Sequence, residues 1–227
     1  MPDREPSYCL GNSRQLLQLT DEEWAFLNTR QWVFACNNFP SHWRILGFAP
    51  TVWVYGDNHS LGCVADLAKE LAAIAGDEDF QSRLRLAFYG LENCAVQADD
   101  AVAKSGVQAI GYRRGHWSDT GQKPARMGEP IFHHGTTFTD LINFAAIFNP
   151  GQEIRILGAQ WNHPEDDCGH FYEPMQPNWC ANRVISIWPG IAMLAKAGLP
   201  IVDCHTRHGS MDGHPEFVLP KKKLMDL

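Results

Sequence analysis

Short β-rich runs recur along the chain between segments of helical period, and this alternation limits the fold more than any other feature. The runs are Tyr8-Cys9-Leu10, Trp32 to Cys36, Val52 to Tyr55, Leu84 to Phe88, Gln108-Ala109-Ile110, Glu153 to Leu157 and Pro200 to Val202. After Ser60, Leu61, Val64, Leu67, Leu71 and Ile74 recur at helical spacing up to Gly76, a natural stop. A second helix is predicted from Thr137, with Asp140 as a capping-box variant, burying Phe138, Leu141, Ala145 and Phe148 before Asn149-Pro150-Gly151. A third spans Val184 to Ala197, where Pro189 should delay the start or kink the helix. The pattern predicts an α/β fold: a Rossmann-like, mostly parallel sheet with helices on both faces.

Two stretches fit neither period, and long loops of this kind are usually functional. Tyr112 to Pro130 is rich in Gly and Arg, and Ala159 to Asn182 in His, Asp, Asn and Trp. The expected organisation is one domain over 1–227, with an irregular loop at 112–130 and a flexible lid at 159–182. The size, 227 residues with 44% apolar content, suits a sizeable core and excludes disorder or a fibrous repeat. A formal charge of -7 gives no general attraction to nucleic acid or anionic lipid, so neither is expected as a partner. A basic surface would have to come from Arg113, Arg114, Lys123 and Arg126, which read more simply as a solvated loop. Met1 to Pro6 lacks the apolar stretch of a secretory signal, and no run is long enough to span a bilayer. A soluble, cytoplasmic protein is expected, its seven cysteines reduced. A homo-oligomer is compatible with the sequence.

In parallel sheets ligands bind outside the carboxyl ends of the strands. There the chain has Gly11-Asn12-Ser13, then Asn37-Asn38, then Gly56-Asp57-Asn58. Glycine admits a ligand to the backbone, and Asn and Asp offer groups suited to a ribose, a base edge or a phosphate. The same residues also make ordinary turns and caps. His133-His134-Gly135-Thr136-Thr137 precedes the second helix, whose amides favour an anion, although Thr136 or Thr137 can equally be a plain cap.

The segments L-G-N-S (10–13), V-F-A-C-N-N-F (33–39) and V-W-V-Y-G-D-N (52–58) together resemble the nucleotide-binding half of the bacterial lipooligosaccharide sialyltransferases and their relatives. His134-Gly135-Thr136-Thr137, Ile154 to Trp161 and His170-Phe171-Tyr172 resemble later segments of that family. The resemblance implies a glycosyltransferase that moves a sugar from a nucleotide donor, CMP-linked in that family, to a hydroxyl acceptor such as a glycan. Neither a metal nor any other cofactor is implied. Gly11, Asn12, Ser13, Asn37, Asp57, Asn58, Gly135, Thr136 and Thr137 would hold the donor. Tyr172 and Asn162 would face its departing phosphate.

Cys180-Ala181-Asn182 stands where the family carries its lid histidine, so the resemblance leaves the general base unassigned. Candidates from the residues are His133, His134, His163, His170, His205 and His208, with Asp166 or Asp167 as carboxylate alternatives; His170 is preferred because it shares the lid with Tyr172. Trp32 and Trp53 read as core, whereas Trp117, Trp161 and Trp179 fall in the irregular stretches and could stack on a sugar. Two other classes stay open: a non-catalytic nucleotide or glycan sensor, and a metal-dependent hydrolase. The hydrolase core would be Asp203-Cys204-His205 to His208 with Asp212 and His214; separately, the lid's His163, Cys168, His170 and Cys180 could bind zinc, although their spacing matches no common pattern.

Overall fold

A computed structural model describes residues 5–56, 61–90, 94–116, 126, 128–134, 136–159, 170–173, 188–204 and 219–226. Its main sheet contains β1 (Ser7–Leu10), β2 (Val33–Cys36), β3 (Val52–Tyr55), β4 (Leu86–Tyr89) and β5 (Ile110–Gly111). β6 (Arg114–His116) and β7 (Ile131–His133) form a separate ribbon, and β8 (Ile154–Leu157) and β9 (Ile201–Asp203) return to the main sheet. The order is β5-β4-β3-β2-β1-β8-β9, with every neighbouring pair parallel. This is the predicted α/β, Rossmann-like arrangement. All residues of β1, β2, β3 and β8 are buried, and β2 and β3 are apolar throughout.

Side chains alternate across each strand and build two cores. Tyr8, Leu10, Val33, Ala35, Trp53 and Tyr55 face Leu27 of α1 (Asp21–Asn28), Leu67, Leu71 and Ile74 of α3 (Leu61–Ala75), and Phe80 of α4 (Glu78–Arg83). Ala98 of α5 (Ala95–Ser105) and Phe39 of the short α2 (Phe39–His42) complete that side. On the other face Cys9, Phe34, Val52, Val54 and Phe88 meet Phe138, Leu141, Phe144 and Ala145 of α6 (Thr137–Phe148), and Ile191 and Leu194 of α7 (Trp188–Lys196). Phe88 and Phe144 stack with ring centroids 4.3 Å apart. Trp53 is wholly buried, while Trp32 stacks on Phe34 and Phe148 at the sheet margin.

Several boundaries differ from the sequence reading for local reasons. Leu84 ends α4, its N–H donating to the Phe80 carbonyl, so the fourth strand starts at Leu86. α6 is capped by Thr136, whose hydroxyl accepts from Phe138 N at 3.2 Å, and Asp140 serves no capping box. Pro189 lies in the first turn of α7, where a missing N–H is tolerated. The stretch from Tyr112, read as structureless, contains β6 paired in parallel with β7. α1 was not singled out, although Thr20 and Glu23 form a complete capping box at its start.

The end of the described chain is tied down rather than free. Arg155 is buried in β8, donates to the Leu224 carbonyl at 2.6 Å and pairs with Glu153 at 2.7 Å. Lys222 pairs with Glu153 at 2.5 Å. Cys9, Cys36, Cys63, Cys94 and Cys204 are free thiols. Among the described residues no helix is long and apolar enough to cross a membrane.

Candidate functional site

The chain leaves β1 toward β2 to β5 on one side and returns to β8 and β9 on the other, so strand order reverses between β1 and β8. Such a reversal opens a crevice at the carboxyl ends. Here the loops after β1 and β8 meet: Gly11 N donates to the Leu157 carbonyl at 2.8 Å and Ser13 N to the Gly158 carbonyl at 3.1 Å. A Cβ on Gly11 would lie 2.1 Å from the Gly158 oxygen, so only glycine fits. Ser13 caps the short 3-10 turn Arg14–Gln18 through Gln15 N.

Two rim asparagines join neighbouring strand ends. Asn12, 3% exposed, donates from Nδ2 to the Cys36 carbonyl at 3.2 Å. Its Oδ1 is buried without a hydrogen-bond partner. Asn37 adopts a left-handed backbone, φ 48°. Its Oδ1 accepts from Gly56 N at 3.1 Å, and its carbonyl accepts from Trp53 Nε1 at 2.8 Å. The structure therefore brings Asn12 and Asn37 to one rim, linked in series from β1 to β3. Much of their hydrogen bonding shapes that rim, and the Asn12 oxygen is left over. Asp57, Asn58, Gly135 and Asn162 lie outside the described residues, as do Trp117, Trp161 and Trp179.

On one side of the rim, residues 170–173 lie against the Gly11–Ser13 turn. Phe171 N donates to the Asn12 carbonyl at 2.9 Å, His170 bridges Ser13, and Arg14 donates to the Glu173 carbonyl at 2.7 Å. Phe171 packs edge-on against Phe39, with centroids 5.5 Å apart. Tyr172 is sandwiched between His42, 4.1 Å away at 9°, and His170, 4.9 Å away at 7°. Of the proposed lid, Ala159 and residues 170–173 are described.

Burial lowers the pKa of His42 from its ordinary 6.5; Lys69 and His170 act in the same direction, and Glu173 opposes them. The folded state therefore favours neutral His42, and stability is lost as pH falls below 6.5 and through the depressed folded value. Amide hydrogen exchange at residues 170–173 is expected to accelerate below that pH after correction for intrinsic rates, and His42→Phe should remove much of the acceleration. An unchanged pH dependence in His42→Phe would exclude His42 as its source.

On the other side, at the start of α6, lies a group that sequence reasoning did not assemble. Asp140 is fully buried in the first turn of α6, and its Oδ2 accepts from Arg114 Nη2 at 2.7 Å, Arg114 Nε at 2.8 Å and Tyr112 OH at 2.6 Å. Its Oδ1 faces His133 Nδ1 at 2.9 Å. Arg114 also donates to Thr137 Oγ1 at 3.2 Å. With only 5% of its side chain exposed, Arg114 is no part of a solvated basic loop. Burial alone would lower its pKa, but Asp140 and Tyr112 hold it above the usual arginine range. Burial and Asp140 together push the Tyr112 phenol well up, so it stays a hydrogen-bond donor.

Contacts at two glycines locate this group on the same edge. A Cβ on Gly56, just after β3, would lie 1.7 Å from Arg114 Nη2 and 2.9 Å from Thr137 Cγ2. One on Gly90, just after β4, would meet the Tyr112 ring at 2.6 Å. Phe138 and Leu141 of α6 belong to one core and Phe171 to the other, so the two polar groups flank the rim from opposite faces. Among the described residues no group of three or more His, Cys, Asp or Glu is placed to hold a metal ion. His163, Cys168, Cys180, His205 and His208 lie outside those residues. Compared with protein families, with characterised proteins and with solved structures, the chain matches none of them.

Proposed function

We propose that the chain is a metal-independent glycosyltransferase that binds a nucleotide sugar along the carboxyl edge of the sheet and passes the sugar to a hydroxyl acceptor. The observation that carries the reading is the docking of residues 170–173 on the Gly11–Ser13 turn at the reversal of strand order, beside a buried amide oxygen with no partner. An unpaired buried acceptor costs about 1–3 kcal/mol. A ribose hydroxyl or a base amino group would satisfy it. The rim then holds the nucleoside, while Tyr172 and His170 lie beside the phosphate. Negative charge builds on that phosphate as the sugar leaves, and preorganised donors lower the barrier there. The ordered resemblance of the strand-end segments to the lipooligosaccharide sialyltransferases supports the same chemistry, with a CMP-linked sugar as the first donor to test.

Thermal unfolding in the presence of nucleotides and nucleotide sugars, with and without chelator, tests the binding step. A rise in Tm that survives chelator is expected, and Asn12→Ala should weaken the affinity about tenfold, the loss of roughly one good hydrogen bond. Incubation with the stabilising donor and a panel of hydroxyl acceptors should then release free nucleotide. Stabilisation that requires metal would favour a hydrolase, and stabilisation without nucleotide release would favour a sensor; either result ends the transferase reading.

A further inference from the structure

We propose that His133, oriented by Asp140, takes the proton from the acceptor hydroxyl; this rests on the glycosyl-transfer reading. A carboxylate only accepts hydrogen bonds, so the 2.9 Å contact of Asp140 Oδ1 with His133 Nδ1 places the ring proton of neutral His133 on Nδ1. The lone pair is then on Nε2, the nitrogen a base needs. Asp140 is itself held fast: Arg114 and Tyr112 supply three donors to Oδ2, and none of these bonds competes for Oδ1. Asp140 Oδ1 stays directed at Nδ1, so the carboxylate holds the ring and balances the imidazolium once it forms. Arg114, Tyr112 and Asp140 are thus positioning residues.

Access points the same way. The His133 side chain is 22% exposed at the carboxyl end of β7, while Asp140 is fully covered. His133 makes no other hydrogen bond among the described residues. His170 also faces a carboxylate, Glu173 at 3.0 Å, but Glu173 is 37% exposed and three residues along the same turn. A partner that exposed fixes a ring less firmly. The His170 ring is also stacked on Tyr172.

In the step itself an oxygen lone pair of the acceptor attacks the anomeric carbon of the donor. The bond from that carbon to the phosphate oxygen breaks, its electron pair stays on the nucleotide, and the hydroxyl proton passes to His133 Nε2. The imidazolium later returns the proton to water, so atoms and charge balance. With Tyr172 and His133 on opposite faces of the rim, the acceptor enters on one side and the leaving group departs on the other, as a displacement requires.

Two measurements on the whole protein test this. Nitrogen-15 spectra that distinguish imidazole tautomers, with His133 assigned by its absence in His133→Asn, should show the Nδ1–H form at neutral pH, and Asp140→Asn should abolish that preference. This outcome does not depend on any donor being found. Finding the Nε2–H form at His133 would overturn the proposal. With the donor in hand, His133→Asn should retain the nucleotide-induced rise in Tm while transfer falls about 10²–10⁴-fold and the acidic limb of the pH–rate profile disappears. His170→Ala should keep that limb. Transfer by His133→Asn at the normal rate, or loss of the limb in His170→Ala instead, would sink the assignment. Failure of the intact protein to bind any nucleotide would strike the functional reading, while the tautomer would still report on the pair.

Discussion

Replacing Asp140 by alanine is expected to cost about 3–5 kcal/mol of folding stability, because the change strands a buried cation. Arg114 would keep its charge with 5% of its side chain exposed and lose both contacts to the carboxylate. Tyr112 and His133 would lose an acceptor in the same step. Urea unfolding should show a lower midpoint with an unchanged slope, the signature of lost stability rather than an altered denatured state. Asp140→Asn should recover little, since the amide keeps the volume but not the charge. Adding Arg114→Met to Asp140→Ala should restore a good part of the loss, because an uncharged side chain of similar length removes the uncompensated ion. A loss below about 1 kcal/mol for the single change would mean water reaches Arg114, and the group would then be a surface feature.

That cluster also marks where the sequence stopped being informative. β1, β2 and β3 were legible because strands buried on both faces need apolar residues at every position, as in Trp53, Val54 and Tyr55. α3 and α6 were legible because each buries one stripe at helical spacing. β6 was not, since Arg114-Gly115-His116 has neither alternation nor β-branched residues and owes its strand form to pairing with Ile131–His133. α1 is only weakly amphipathic, and its one strong local signal, the Thr20–Glu23 capping box, is short enough to pass as a turn.

The shared edge of Asn12 and Asn37 was legible because strand ends in a parallel sheet lie side by side, a consequence of topology alone. The partnership of Tyr112, Arg114, His133 and Asp140 was not, because its members come from three elements and a connecting loop with no fixed spacing. Asp140 was the most misleading, since an acid three residues after Thr137 reads as a capping-box variant. Its burial, which only the packed structure reveals, turns it toward Arg114 and His133 instead.

Gly11→Ala tests the other half of the edge and should be the most damaging single-methyl change on the rim. The added Cβ would lie 2.1 Å from the Gly158 oxygen and 2.8 Å from its carbonyl carbon, both backbone atoms. No rotamer can relieve that overlap, so the loops after β1 and β8 must separate. The bonds from Gly11 N to Leu157 and from Ser13 N to Gly158 would stretch together. Overpacking of this kind costs about 1–3 kcal/mol, and the broken ladder places the change at the upper end. Ser13→Ala is the control: it removes only the cap on Gln15 and should cost about 1 kcal/mol. The functional consequence follows from the same displacement. Asn12 links Gly11 to the Cys36 carbonyl and carries Phe171 on its own carbonyl, so separating the loops shifts the buried amide oxygen and the segment above it at once. Gly11→Ala should therefore lose nucleotide-induced stabilisation even at temperatures where the protein is still folded, whereas Ser13→Ala, whose hydroxyl is engaged by Gln15 N, should lose less of it. Equal nucleotide shifts in both variants would detach the β1–β8 junction from ligand binding and leave its glycine a purely structural requirement.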